Sequence, residues 1–198
     1  RFFNPDMQCD VNNLQALSRY IDEGDIIAPN IVTPHINGQN ISQQKIFSRP
    51  YDADEAADLQ ETDWLLGACM MMRREKFKGF DEKFFLFFEE TDLCKRMGKK
   101  IIVKNITLTH HSGTSSGDSH EILCFKNWHY AWSQCYYHQK HGMDFDVHRH
   151  IRKNYKYIYV PFLYKQERRI IAREKMAGFR AYLNKINSHD YITPAIKL

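Results

Sequence analysis

Residues 84–96 read Phe-Phe-Leu-Phe-Phe-Glu-Glu-Thr-Asp-Leu-Cys-Lys-Arg, five apolar side chains delivering three carboxylates to the start of a helix. Clustered negative charge beside so apolar a wall is costly unless it meets a metal, a cation or a substrate proton. On a helix Glu90 and Asp92 point about 200° apart, so they do not serve one substrate atom together. Asp92 and Arg96, at i and i+4, can instead pair on one face. That leaves Glu90, or Glu89, to point into a cleft. A glutamate with an ordinary pKa of about 4.3 is ionised at neutral pH and can take the proton of an attacking hydroxyl. The plainer alternative is that acidic residues simply favour a helix N-terminus through its dipole.

Two further polar clusters follow the same logic. Asn4-Pro5-Asp6 sets a hard-oxygen acid at the end of an apolar strand, a ligand suited to Mg²⁺ or Mn²⁺ holding a diphosphate. Its ordinary alternative is a turn or helix cap. His110-His111-Ser112-Gly113 closes another strand, and His110 offers an imidazole that Mn²⁺ accepts. Polar groups at the C-terminal ends of strands are how open α/β sheets build a site.

Elements must hold these groups. Val11, Leu14, Leu17 and Ile21 recur at helical spacing over residues 11–23, and Gly24 stops them. Asp25 to Ala28 predicts a short strand, and Ile31 to Ile46 a hairpin turning at Asn37-Gly38. Residues 48–62 are polar and acidic, the pattern of a loop. Residues 64–72 predict one buried strand, then a short helix from Arg73, ended by Gly79. The helix that starts at Glu89 stops before Gly98. Residues 101–103 and 106–109 predict two strands, and 113–119 a Ser/Gly loop. A long aromatic helix is expected over 120–141, then two basic amphipathic helices over 147–187, broken near Pro161. Phe162, Ile170, Ile171, Phe179 and Leu183 would form their apolar face.

Composition narrows the class. The 198 residues are 43% hydrophobic and 14% aromatic, enough to bury a core. No stretch reaches the ~18 apolar residues of a membrane span. Five cysteines without Cys-x-x-Cys spacing argue for a reducing compartment and against a disulfide framework. Cys124, His129, Cys135 and His138 share a window, but their spacing matches no common zinc site. The net charge of +4 is uneven: residues 149–198 carry 12 Lys and Arg against 3 Asp and Glu, the first 148 carry 16 against 21. A basic tail interleaved with Tyr suits an anionic membrane face, or less readily nucleic acid, or a plain solvated surface. The chain opens on Arg1-Phe2-Phe3, which reads as the inside of a strand, so a longer parent protein is expected.

Taken together, the motifs resemble glycosyltransferase family 2 enzymes of GT-A fold, especially the rhamnosyltransferase-like branch that builds bacterial surface polysaccharides. The resemblance rests on Asn4 to Asp6, Trp64 to Ala68, Arg73 to Glu75, Gly79 to Glu82, Phe84 to Arg96 and His110 to Ser116, in the family's order and spacing. It implies an α/β fold with a GT-A-like, Rossmann-related mixed sheet over residues 1–118, lacking its N-terminal half, and a helical extension over 119–198. The missing half would carry the nucleotide pocket, so this portion alone is not expected to bind donor normally.

The resemblance also implies roles. Glu90 falls where the family places its catalytic Asp, with Glu89 the alternative base. Asp6 and His110 would hold Mg²⁺ or Mn²⁺, while Asn4, Asp6 and Arg96 would face the donor. Trp64, Gly67, Ala68, Asp81 and Glu82 would line the acceptor side. Two departures stand out: Glu replaces Asp at position 90, and Lys78 replaces the first Gly of the usual Gly-Gly-Phe-Asp-Glu. The implied activity is inverting transfer from a nucleotide-sugar to a hydroxyl of a growing glycan, free or lipid-linked. The implied location is the cytoplasm, at the inner face of the plasma membrane. A non-catalytic nucleic-acid or partner-binding module working through the tail is the alternative; salt-sensitive RNA binding without turnover would mark it.

Overall fold

The computed structural model describes residues 2–3, 7–34, 40–42, 58–111, 119–159 and 164–191. The chain divides into two compact units, Arg1–Phe80 with Glu90–Ser115, and Asp81–Glu89 with Ser116–Leu198.

The first unit is a mixed sheet with a helix on each face. Its elements are β1 (Phe2–Phe3), β2 (Met7–Gln8), α1 (Val11–Ser18), β3 (Ile26–Pro34), β4 (Asn40–Ser42), β5 (Leu59–Thr62), β6 (Cys69–Met70), α2 (Glu89–Arg96) and β7 (Lys100–His110). The parallel pair of β3 and β7 forms the middle. The far edge of β7 is shared by two antiparallel strands, β5 against Lys100 to Val103 and β2 against Thr109 and His110. Beyond β3 lie antiparallel β4 and a bridge from Ile27 to Met71, just past the β1–β6 pair.

Burial explains the layers. Successive strand residues face opposite sides. Ile27 and Ile31 pack with Leu17 and Leu14 of α1, whereas Ile26 and Ala28 pack with Leu93 and Cys94 of α2. All of Ile26, Ile27 and Ala28 are buried, the mark of an inner strand covered on both faces. Asp10 caps α1, its carboxylate accepting from the Asn12 N–H at 2.8 Å.

Three expectations change in form. The helix of residues 11–23 is α-helical only to Ser18 and continues as turns. The two strands of residues 101–109 are one strand, because β7 bulges past a register shift between Pro29 and Asn30. Proline has no N–H for the ladder, which makes it a natural place for the shift. The expected strand over 64–72 shrinks to Cys69 and Met70, and residues 64–67 run as a loop. Within 48–62, residues 59–62 form β5. The Asn37-Gly38 turn, the rest of the acidic loop and the 113–118 part of the Ser/Gly loop lie outside the described residues.

The second unit is helical: α3 (His120–Lys140), α4 (Val147–Tyr159) and α5 (Gln166–Leu183), then a 3₁₀ turn at Ser188–Asp190. Ser119 caps α3 by accepting from the Ile122 N–H. Trp128, Ala131, Trp132, Cys135 and Tyr137 are buried along α3, making it the core helix. A Cβ on Gly178 of α5 would stand 2.3 Å from the Trp128 carbonyl oxygen, so only glycine permits this close helix contact. On α4, Ile151 packs inward with Val147, Tyr155 and Ile158, while Arg149, Arg152, Lys153 and Lys156 are exposed. Of the apolar tail residues, Phe179 is buried, Ile170 and Ile171 are half-buried and Leu183 is exposed. Phe162 and the break near Pro161 lie outside the described residues.

Candidate functional site

The carboxylate-bearing stretch is held by two kinds of support. Within the helical unit, residues 81–89 are strapped down by side chains from α3 and the final turn. The Ser133 hydroxyl donates to the Leu86 carbonyl at 2.8 Å, the Ser188 hydroxyl to the Lys83 carbonyl at 2.7 Å, and His189 Nε2 lies 2.7 Å from the Glu82 carbonyl. Asp81 accepts from the Tyr136 hydroxyl at 2.8 Å and from Lys140 Nζ at 2.7 Å. Partial burial alone would push the Asp81 carboxyl up, but Lys140, the Lys83 N–H and the Tyr136 hydroxyl outweigh it and hold it at about 2. Asp81 is therefore a committed anchor of the segment.

The backbone just before the helix is strained. Phe87 and Phe88 have φ of 66° and 68°, a left-handed conformation that bulky residues rarely adopt. Each such residue costs roughly 1–3 kcal/mol and persists only where its surroundings over-determine it. Here the rings do so: Phe87 packs edge-on to Tyr130, and Phe88 packs against Tyr130 and Tyr137. The sharp reversal turns the chain into α2 with Glu89 and Glu90 leading.

The two glutamates differ. Oε2 of Glu89 is buried with no hydrogen-bond partner among the described residues. Burial raises its pKa above the ordinary glutamate value, only partly offset by its own backbone N–H. Glu90 lies against the Trp-x-x-Gly-Ala loop of the sheet unit. A Cβ at Gly67 would stand 3.1 Å from Glu90 Cβ, 3.2 Å from Cγ and 3.5 Å from Cδ. Gly67 thus lets the Glu90 side chain lie flat against the loop backbone. One residue further on, the Trp64 indole N–H donates to the Thr91 hydroxyl at 2.9 Å and ties the same loop to α2.

Asp92 and Arg96 make a structural pair. Asp92 is fully buried, and Arg96 Nε donates to its Oδ2 at 2.7 Å. The other two guanidinium nitrogens donate to the carbonyls of Lys78 and Gly79, and Lys78 Nζ donates in return to the Arg96 carbonyl. Lysine at position 78, the departure from the family motif, thus caps the C-terminal end of α2, where a cation is favoured. Arg96, expected to face the donor, spends each of its three nitrogens inside the protein.

Ala68 is 2% exposed and belongs to the core, so its side chain offers nothing to an acceptor. The side chain of Glu82 is exposed, and its carbonyl meets His189. His110 closes β7, paired with Met7, the residue that follows Asp6 in sequence. Asn4 and Asp6 themselves lie outside the described residues. Among the described residues no group of three or more His, Cys, Asp or Glu side chains could hold a metal ion, the Cys124–His138 window included. Of the expected pair of metal donors, His110 falls among the described residues and Asp6 does not.

Sequence reasoning set His129 in an unmatched zinc window and missed its aromatic burial. It is 1% exposed, stacked on Phe85 and ringed by Phe125, Trp128 and Tyr191. Burial, with His189 nearby, pulls its pKa down to about 4, so it is neutral at physiological pH. Neither ring nitrogen has a hydrogen-bond partner among the described residues. Its position in a run of α3 aromatics was the only available signal.

Against curated proteins, the chain is 38% identical over 61 residues to the N-acetylglucosaminyl-diphospho-decaprenol L-rhamnosyltransferase of Mycobacterium tuberculosis, in strains CDC 1551 / Oshkosh and ATCC 25618 / H37Rv. The match covers 27% of this chain and 20% of each relative, so the chain spans about a fifth of the length of the curated relatives it matches. No family model matches. This partial likeness to a rhamnosyltransferase suggests a glycosyltransferase relationship, and the mixed α/β sheet is consistent with a glycosyltransferase-like fold.

Proposed function

We propose that this chain is part of a glycosyltransferase that moves a sugar, rhamnose or another hexose, from a nucleotide-sugar to a hydroxyl of a lipid-linked glycan. The observation that carries the reading is Glu90, laid against the Gly67 loop directly after a strained Phe87–Phe88 turn and a partly buried Glu89, in a chain partly similar to a rhamnosyltransferase. In this reaction the acceptor oxygen attacks the sugar's anomeric carbon opposite the leaving group. A new C–O bond forms, the C–O bond to phosphate breaks, and its electron pair leaves on the nucleoside diphosphate. The acceptor proton passes to a carboxylate, and the single displacement inverts the anomeric centre.

Motif position favours Glu90 as base. Environment favours Glu89, since a carboxylate whose pKa is raised by burial accepts a proton more readily at neutral pH. Trp64 and Gly67 belong on the acceptor side of this reading. Mg²⁺ or Mn²⁺ held by Asp6 and His110 belongs to the proposal too, and would supply charge to the leaving diphosphate. A cytoplasmic position at the inner membrane face also belongs to it, supported by the exposed basic face of α4 and by the absence, among the described residues, of any helix long and apolar enough to cross a membrane.

The test is sugar transfer by the full-length enzyme carrying Glu90→Gln or Glu89→Gln. Loss of the general base should cut turnover on the order of 10²- to 10⁴-fold while donor binding stays intact. A larger loss at Glu89 makes Glu89 the base. Wild-type turnover in both variants sinks the mechanism.

A further inference from the structure

We propose that a cavity of about 420 Å³ within the helical unit, between α3 and the turn that ends α5, binds an isoprenyl diphosphate. The inference rests on the lipid-linked acceptor reading above and deepens it, since an isoprenyl diphosphate is the linkage such an acceptor would present. Three aromatic rings form the walls: Trp132, Tyr136 and Tyr182, with Trp132 5.5 Å from Tyr136 and 5.7 Å from Tyr182. The Tyr136 hydroxyl is engaged by Asp81 and the Tyr182 hydroxyl by Gln139, so the walls offer ring carbon to a ligand. Leu183 and Ile186 extend this surface to the rim, where they are 41% and 42% exposed. An isoprenoid lying in the cavity would cover both side chains.

Two ammonium groups give the cavity its charge. Lys83 and Lys185 both line it, and among the described residues no carboxylate does. Lys83 Nζ stands 5.6 Å from the centre of the Tyr136 ring, so its charge lies against the aromatic wall. Lysines bind phosphate as compact point charges, and two of them in one lining favour a doubly charged diphosphate head. A nucleotide is a poorer fit, because the lining has no carboxylate among the described residues for ribose hydroxyls.

Both lysines are held in place through their backbones. The Ser188 hydroxyl grips the Lys83 carbonyl. Lys185 caps α5 at φ 58°, its N–H donating to the Tyr182 carbonyl, while the next N–H reaches the Ala181 carbonyl. The Trp132 indole N–H then donates to the Ile186 carbonyl at 2.8 Å. Glycine is the usual residue at such a left-handed cap. Lysine there is strained, and strain of this kind gathers at ligand clamps.

The test uses the 198-residue chain and farnesyl diphosphate in isothermal titration calorimetry, with farnesol, inorganic pyrophosphate and uridine diphosphate as separate arms. Wild type should bind farnesyl diphosphate at least tenfold more tightly than any of the other three. Lys83→Ala combined with Lys185→Gly should weaken it tenfold or more, and the glycine relieves the strained cap, so thermal unfolding monitored by circular dichroism should show a folded protein. Absence of wild-type binding, unchanged binding in the double variant, or equally tight uridine diphosphate binding at the same site each overturns the proposal. Glu89→Gln and Glu90→Gln should bind farnesyl diphosphate normally. If the lysine variant binds normally while the glutamate variants lose transfer, this site fails alone; if the lysine variant loses binding while the glutamate variants transfer normally, the transfer mechanism fails alone.

Discussion

Each unit holds a carboxylate–cation pair drawn from the same motif-rich stretch, and the pairs are built differently. In the sheet unit Asp92 and Arg96 stand one helical turn apart, and Asp92 is wholly buried. In the helical unit Asp81 meets Lys140 across 59 positions of sequence, with about a fifth of each side chain exposed. The first pair is a local consequence of helix geometry that a low-dielectric core makes stringent. The second is a tether that holds the 81–89 segment to α3. A local pair needs only the right spacing, whereas a tether needs the tertiary fold before it exists.

The largest expected effect tests the first pair. Asp92→Ala strands Arg96 against a buried face and should cost about 3–5 kcal/mol in urea unfolding. A loss under about 1 kcal/mol would show that the pair is not the strut described here. Next comes the helical unit's own close contact. Gly178→Ala should gain helix propensity, yet its methyl would collide with the Trp128 carbonyl, so we expect a net loss of about 1–3 kcal/mol. A more stable protein would mean that the helices part without cost.

Breaking the tether should matter less to stability. Asp81→Ala should cost about 1 kcal/mol, since the pair is partly solvated. Its signature is elsewhere: protection of the 82–88 amides in hydrogen exchange should fall, with the sheet unit unaffected. Because the Asp81 pKa is depressed to about 2, its contribution is complete above the unfolded value of 3.8 and disappears as pH falls through about 2.

A last test separates the cores by pH. His129 is depressed from 6.5 to about 4, so between these values the unfolded chain binds a proton that the folded chain refuses. Stability should therefore decline as pH drops from about 6.5 towards 4. His129→Phe, which keeps the ring in its aromatic cage, should flatten that part of the profile in thermal melts. An identical slope in the variant would place the titration on another group.

How much of this was legible in the sequence depends on range. The i,i+4 spacing of Asp92 and Arg96 and the helix boundaries near 89–96 and 120–140 are local properties, and local chemistry writes them into residue order. The single long β7 was not legible, because Lys104 and Asn105 interrupt the apolar pattern and only pairing with β3 shows a bulge in place of a break. The core position of Ala68 was equally hidden, since a motif names residue types without saying which face they take.

The sequence by itself determined the chemistry on offer: a run of carboxylates behind aromatic residues, a histidine at a strand end, and a tail whose basic residues outnumber its acidic ones four to one. Only the tertiary structure decided how those groups are used. It buried Glu89, laid Glu90 on Gly67, spent Arg96 and Asp81 on structure, and closed a lysine-rimmed aromatic cavity from residues 83 to 187. The physical reason is that charge and polarity belong to a residue, whereas desolvation and close approach belong to its neighbours, and neighbours far apart in sequence are chosen only when the chain folds.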